Sequence, residues 1–399
     1  MTHDTNIPQG YKATALGIIP QEWEVMRLGD IVSITSGESP SLYHLKAEGK
    51  YPYVKVEDLN NCEKYQESSR EYSDDNNTTI KAGSIIFPKR GASILNNKVR
   101  IAAKDIQMDS NMMAITPHTA IVDTEFLYIR ILHERLYRIA DTSSIPQINN
   151  KHIIPYKIAV PPLAEQRKIA EVLGVWDEAI EKQARLIEKL ALRKRALMQR
   201  LLSAKLRLPG FSEPWKTHKL QELFTERNET NRTDLPLLSI TGDRGVILQT
   251  ESEKRDTSND DKSKYKRIAK GDIGYNTMRM WQGRSALSGL EGIVSPAYTI
   301  VVPNTDVDGY YMSVLFKQPR LIYDFWTHSQ GLVGDTLNCK YRDFGQVHIC
   351  CPPLAEQKAI TEVLTAADRE IELAKEELER LRRQKRGLMQ QLLTGKKRI

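Results

Sequence analysis

The six residues PPLAEQ stand at Pro161–Gln166 and again at Pro352–Gln357, 191 positions later. Laying Pro161–Leu208 over Pro352–Ile399 gives 24 identities in 48 positions, and the two segments end alike in RALMQRLL and RGLMQQLL. The residues ahead of each copy also echo one another. EWEVMRLGDI and PWKTHKLQEL place Trp23 and Trp215 in register, 192 apart, and KAGSIIF at Lys81 answers AKGDIGY at Ala269. A period this long is a domain duplication, not a solenoid. The chain is two copies of one plan, in which a variable segment is followed by a shared one. The divisions this implies are residues 1–160 and 208–351 for the variable domains, with 161–207 and 352–399 for the shared segments.

The shared segments read as long helices. Paired prolines suit a helix start, and after them apolar residues fall at alternating steps of four and three. The first stripe is Ile169, Leu173, Trp176, Ile180, Gln183, Ile187, Leu190, Lys194, Leu197 and Leu201. Adding 191 gives the second: Ile360, Leu364, Ala367, Ile371, Ala374, Leu378, Leu381, Lys385, Leu388 and Leu392. A 3.5-residue repeat held over several heptads predicts a coiled coil. Two copies of one helix joined by a domain of this size can meet within one chain, so the expected pairing is intramolecular and antiparallel. Helices lying on their own domains, or pairing between chains, are the alternatives. The polar positions Lys194 and Lys385, with the RKR and RRQKR runs around them, read as a solvated face.

The bulk numbers narrow the class without deciding it. Hydrophobic content of 40% with 27% charge is ordinary for a soluble globular protein, and no apolar run approaches the ~18 residues of a membrane span. MTHDTNIPQG lacks the apolar core of a secretion signal. Cys62, Cys339, Cys350 and Cys351 show no CxxC spacing, and the adjacent pair in VHICC reads as packing, so a reduced cytoplasm is expected. The net charge of +7 hints at nucleic acid, yet the shared segments hold 22 Lys and Arg against 14 Asp and Glu, which leaves 36 against 37 elsewhere. Variable domains that bind DNA must do so with clustered side chains, not with a bulk field.

Those domains carry short β-type runs between turn signals: YPYVKV, SIIFPKR, VRIAA and MMAITP in the first, LPLLSI, GVILQT, DIGYNTM and AYTIVV in the second. Thr124–Ala140 reads as a helix. The fold class is therefore α+β, with two β-rich mixed domains and a long antiparallel two-helix coiled coil between them, related by a pseudo-twofold repeat. Phosphate loops, HExxH and an ordered Ser/His/Asp set are missing, and carboxylate–x–Lys triplets such as Glu48-Gly49-Lys50 are expected by chance. What stands out is YNTMRMWQGR, which gathers Tyr275, Asn276, Arg279, Gln282 and Arg284 around Trp281. Arginine suits guanine O6 and N7, Asn and Gln suit adenine N6 and N7, and aromatics stack or insert. FPKRGASILNNKVR offers Lys89, Arg90, Asn96, Asn97, Lys98 and Arg100 in the first domain. An ordinary polar hairpin with Trp281 in a core is the competing reading.

Together, the duplicated PPLAEQ…LMQ.LL helices, the FPKRGA and SNMMAITP runs, and YNTMRMWQGR…GIVSPAY resemble the specificity subunit of bacterial Type I restriction–modification enzymes, over essentially the whole length. That resemblance implies two target recognition domains, each reading one half of a bipartite site in double-stranded DNA, with the helices as spacer. It implies docking of two methyltransferase subunits that bind S-adenosylmethionine and methylate adenines, and a motor–nuclease subunit, using ATP and Mg, that joins for restriction. No cofactor is then expected in this chain itself, and no catalytic or metal-binding residue. A DNA-modifying enzyme with an unrecognised motif, or a scaffold without a DNA role, are the rival classes. The purified chain alone is expected neither to methylate nor to cleave DNA, and to gain methylation only with its methyltransferase partner and S-adenosylmethionine. Methylation or cleavage by the chain alone, in a preparation shown free of partner subunits, would contradict this.

Overall fold

The computed structural model describes residues 7–141, 145–242, 244–252, 260–331 and 337–399. Two long helices begin immediately after the paired prolines and run Leu163–Leu201 and Leu354–Leu393. The Pro162 and Pro353 carbonyls accept the first helical N–H groups, from Glu165 and Gln166 and from Glu356 and Gln357. Every position of both sequence stripes is buried or half-buried. The sheltered positions include Ile169, Leu173, Trp176, Ile180, Ile187, Leu190, Leu197 and Leu201 on the first helix and Ile360, Leu364, Ile371, Leu378, Leu381, Leu388 and Leu392 on the second.

The chain gathers into two compact units, Met1–Ala184 with Glu377–Ile399, and Arg185–Glu376. Each unit owns half of each long helix. In the first, Ile169 and Leu173 share a core with Leu388, Met389, Leu392 and Leu393, so the start of one helix lies against the end of the other. In the second, Leu197, Met198, Leu201 and Leu202 pack with Ile360, Val363 and Leu364, and Leu190 with Ile371 and Ala374. The pairing within each unit is antiparallel.

The two lysines of the stripe are not simply solvated. Lys385 pairs with Asp177 in the first unit, and Lys194 pairs with Asp368 at 2.5 Å in the second, each lysine side chain being only 20% exposed. Lysines and aspartates are both 191 apart, so one ion pair is made once in each unit. A lysine at a core position stabilises less than a leucine would, but it resists sliding, because a slipped helix would strand its charge.

The repeated words themselves form a second polar cluster. Glu165 is 7% and Glu356 1% exposed. Trp23 donates its indole N–H to Glu165 at 3.0 Å, and Arg398 grips the same carboxylate through Nε and a terminal nitrogen at 2.6 and 2.9 Å. In the other unit Trp215 donates to Glu356 at 3.2 Å and Arg207 grips it at 2.6 and 2.8 Å. The neighbouring glutamines do equivalent work. Gln166 accepts from the N–H of Asp123 and donates to the Ile121 and Pro161 carbonyls, while Gln357 accepts from Asp308 and donates to Asp306 and Pro352. Asp123 and Asp308 are the N-caps of Thr124–Glu134 and Gly309–Leu315, so each glutamine ties a long helix to the start of a short one.

Each variable segment folds around one sheet. The first unit orders Val32–Ser36, Met112–Pro117, Ile85–Pro88, Arg100–Ala102 and Tyr65–Gln66 side by side, with Tyr51–Val54 at the centre of a separate three-stranded sheet. Alternate residues serve two cores: Ile85, Phe87, Met113 and Ile115 face one cluster, and Ile86, Met112 and Ala114 the other. The second unit orders Phe224–Glu226, Tyr298–Pro303, Ile273–Asn276 and Ser285–Leu287, again with a core on either face. Two local expectations need correction. The helix at Thr124 stops at Glu134, because Arg135 takes a left-handed conformation (φ 57°), and only a single turn, Leu136–Ile139, follows. In the strand His348–Cys351 burial alternates, so Cys351 packs inside while Cys350 is exposed. No described helix is long and apolar enough to cross a membrane.

Replacing Glu165 by Ala leaves the Trp23 N–H and the Arg398 guanidinium without their acceptor. It is expected to destabilise the first unit by ~3 kcal/mol, against ~1 kcal/mol for Trp23→Phe, which removes one hydrogen bond and keeps most of the bulk. Urea titration followed by circular dichroism checks this, and equal midpoints for wild type and Glu165→Ala would contradict it.

Candidate nucleic-acid interface

Both candidate stretches are hairpin connections on equivalent strands. Ile85–Pro88 pairs antiparallel with Arg100–Ala102, and the chain between them makes a turn at Ala92–Ile94. Ile273–Asn276 pairs antiparallel with Ser285–Leu287 across a turn at Met280–Gln282. The strand after each connection returns to a buried sheet, so the polar residues of the connection are pushed to the rim.

In the second unit the geometry separates anchors from exposed groups. Tyr275 is fully buried, stacked on Phe344 with ring centroids 5.2 Å apart, and burial pushes its phenol well above the ordinary range. It is a core residue and not a stacking surface, which corrects the sequence expectation. The equivalence of KAGSIIF and AKGDIGY carried the signal, because it aligns Tyr275 with Phe87, which is also buried. Asn276 is half-buried, and its Oδ1 accepts the Met278 N–H at 3.0 Å, which turns the chain out of the strand. Trp281 is half-buried as well, its indole N–H donated to the Met278 carbonyl at 3.0 Å. Arg279, Gln282 and Arg284 are exposed. The Arg284 carbonyl accepts the Asn276 N–H at 2.9 Å and closes the connection beneath them. Gly283, at φ 69°, supplies the left-handed residue that lets the turn reverse.

The first unit sorts its residues differently. Arg100 aims its guanidinium inward, donating to the carbonyls of Cys62 at 2.8 Å, Leu59 at 2.9 Å and Val99 at 2.8 Å. Asn97, at φ 49°, donates its amide to the Leu132 carbonyl at 3.1 Å near the end of Thr124–Glu134. Lys98 donates to Asn60 Oδ1 at 2.5 Å. These three hold the connection to its own unit. Arg90 and Asn96 are exposed and Lys89 is half-buried. Burial, with the Arg90 charge beside it, holds the Lys89 ammonium below the ordinary lysine value. Cationic neighbours that repel each other favour an incoming anion.

Among the described residues no group of three or more His, Cys, Asp or Glu is placed to hold a metal ion. Burial raises the thiols of Cys339 to about 12 and Cys351 to about 11, far from a reactive thiolate. The arrangement offers exposed guanidinium and amide groups on hydrogen-bonded hairpin connections, which suits recognition of an anionic, hydrogen-bonding surface.

Comparison with known proteins points the same way. A family model for the Type I restriction modification DNA specificity domain matches residues 20–191. The chain is 24% identical to the Type I restriction enzyme MjaVIII specificity subunit of Methanocaldococcus jannaschii, over 96% of this chain and 94% of that one. It is 26% identical to the putative type I restriction enzyme MjaX specificity subunit of the same organism, over 98% and 97%. The fold is shared with the S subunit of a Type I restriction–modification system from M. genitalium, with a TM-score of 0.54 at 15% identity over 98% of both chains.

Arg100→Ala is expected to destabilise the first unit by ~1–3 kcal/mol, since buried carbonyls lose their donor. Arg279→Ala, on an exposed turn, should change stability by less than ~0.5 kcal/mol. Thermal melts of the two variants check the distinction, and it fails if Arg279→Ala costs as much as Arg100→Ala.

Proposed function

We propose that this chain is a specificity subunit of the Type I restriction–modification kind, and that each of its two units reads one half of a bipartite site in double-stranded DNA. The observation that carries this reading is the duplication of the hairpin connection. Equivalent strands, Ile85–Pro88 and Ile273–Asn276, present different polar side chains at their ends, while each carries a buried aromatic at the matching position, Phe87 and Tyr275. A divergent rim on a repeated frame suits two readers of two different sequences. Arg279, Gln282 and Arg284 in one unit, and Lys89, Arg90 and Asn96 in the other, are the side chains best placed to contact bases and phosphates. Bidentate base contacts specify and phosphate contacts position.

In this reading the chain is the non-catalytic component. S-adenosylmethionine would be held by methyltransferase subunits docked on it, and ATP and Mg by a motor–nuclease subunit. The two long helices, running through both units, would set the number of base pairs between the half-sites. A stiff helical pair fixes such a spacing better than a flexible linker, which would allow many separations.

Removing one heptad from each helix, Gln183–Lys189 and Ala374–Arg380, keeps both apolar stripes in phase. Each helix shortens by ~10 Å, about three base-pair steps, and three fewer pairs rotate one half-site by roughly 100° relative to the other. With its methyltransferase, the shortened protein is expected to methylate a site with a shorter spacer, or to lose methylation while remaining folded. Sequencing of methylated adenines in a host genome reads the outcome. Methylation of the original motif at an undiminished rate would refute the helices as the spacer.

A further inference from the structure

One helix of the second unit carries a surface that the hairpin reading does not use. Pro319–His328 buries Leu321 and Phe325 in the core, and leaves Tyr323 59% and Trp326 47% exposed. The two rings lie on one face, three residues apart, with centroids 5.6 Å apart. Single exposed apolar side chains need no explanation, but two adjacent large aromatics present a binding surface. Arg320, exposed and three residues before Tyr323, extends that face with a cation.

The helix is built against the candidate reading turn. A Cβ on Gly283 would stand 3.0 Å from Ile322 Cδ1, so the N-terminal half of the helix touches the end of the turn. Beyond its C-terminus the chain forms a bridge between Gln330 and Asn338, and the next residue, Cys339, donates its N–H to the Thr277 carbonyl at 2.8 Å. The turn from Thr277 to Gly283 is thus held at one end by this helix and at the other by Cys339. The first unit has the same support in reduced form. There Ile148 donates to the Lys89 carbonyl at 2.9 Å and Asp141 bridges to Gln147, but the helix is the single turn Leu136–Ile139.

We infer that Tyr323 and Trp326 form an aromatic ledge that contacts the DNA of the second half-site, beside the groups presented by Arg279 and Arg284. The inference rests on the reading of the turn as a DNA reader. The charge favours nucleic acid over a protein partner: Arg279 and Arg284 are exposed on the turn this helix packs against and Arg320 on the helix itself, with Asp324 the acid on the same helix. Aromatic faces beside arginines pack on sugars and thymine methyls or wedge at a base step, without needing a hydrogen-bond code. Because the corresponding element of the first unit is only the single turn Leu136–Ile139, the ledge belongs to one half-site only.

The test uses the full chain assembled with its methyltransferase. The probe is a duplex bearing the motif read from the host's methylated adenines, with duplexes scrambled in either half as controls. Tyr323→Ala and Trp326→Ala are each expected to weaken binding of the motif duplex by about fivefold or more, with Trp326→Phe retaining most of the affinity. The loss should vanish on the duplex scrambled in the second half-site and persist on the one scrambled in the first. Unchanged affinity in an intact assembly overturns the inference. So does failure of the variants to assemble with the methyltransferase while the complex that does form binds DNA normally, which would make the ledge a protein dock. Arg279→Ala and Arg284→Ala in the same assay separate the two layers. If they weaken binding and the aromatic variants do not, only the ledge falls; if all four are silent, the reading of the turn falls with it.

Discussion

A buried carboxylate at the first turn of each long helix is the constraint on which the rest depends. Glu165 and Glu356 could not stay charged inside a protein without partners, because an unpaired buried carboxylate costs several kcal/mol. Each therefore gathers an indole N–H and a bidentate arginine from distant parts of its unit: Trp23 and Arg398 in one, Trp215 and Arg207 in the other. The demand for partners fixes where the helix starts, which strand precedes it and where the chain emerging from the opposite helix must return. Arg398 lies 233 residues from Glu165, so satisfying that carboxylate draws the chain's last residues into the first unit.

The same logic repeats along the helices. Apolar stripe positions such as Leu173 and Leu364, each fully buried, contribute ~2–3 kcal/mol apiece and make the pairing stable. They do not make it unique, since a stripe slipped by a heptad buries nearly as much. Lys194 with Asp368 and Lys385 with Asp177 supply that discrimination, because only one register brings each lysine to its aspartate. Stability comes from the leucines and register from the charges.

At the rims the division runs between anchored and exposed side chains. Tyr275 and Phe87 lock the strands that lead into the candidate connections, and Arg100 and Asn97 spend their hydrogen bonds on backbone carbonyls. What remains exposed is small in number and different in the two units. A firmly held frame with few exposed side chains suits the proposed role, since bases are discriminated by hydrogen bonds that lose their value when donors are loose.

The sequence by itself determined the duplication, the two helices and their buried face, because a 3.5-residue repeat is a local property that survives whatever surrounds it. It also placed the main strands, since alternation and turn residues mark them. It could not sort polar residues into anchors and exposed groups. Arg100 and Arg279 look alike in composition, yet one turns inward to Cys62 and Leu59 while the other faces solvent. Nor could it show that Lys194 and Lys385 are paired across helices, or that Glu165 waits for Arg398. These outcomes depend on groups far apart in the chain meeting in three dimensions, and only the tertiary structure decides which donor finds which acceptor.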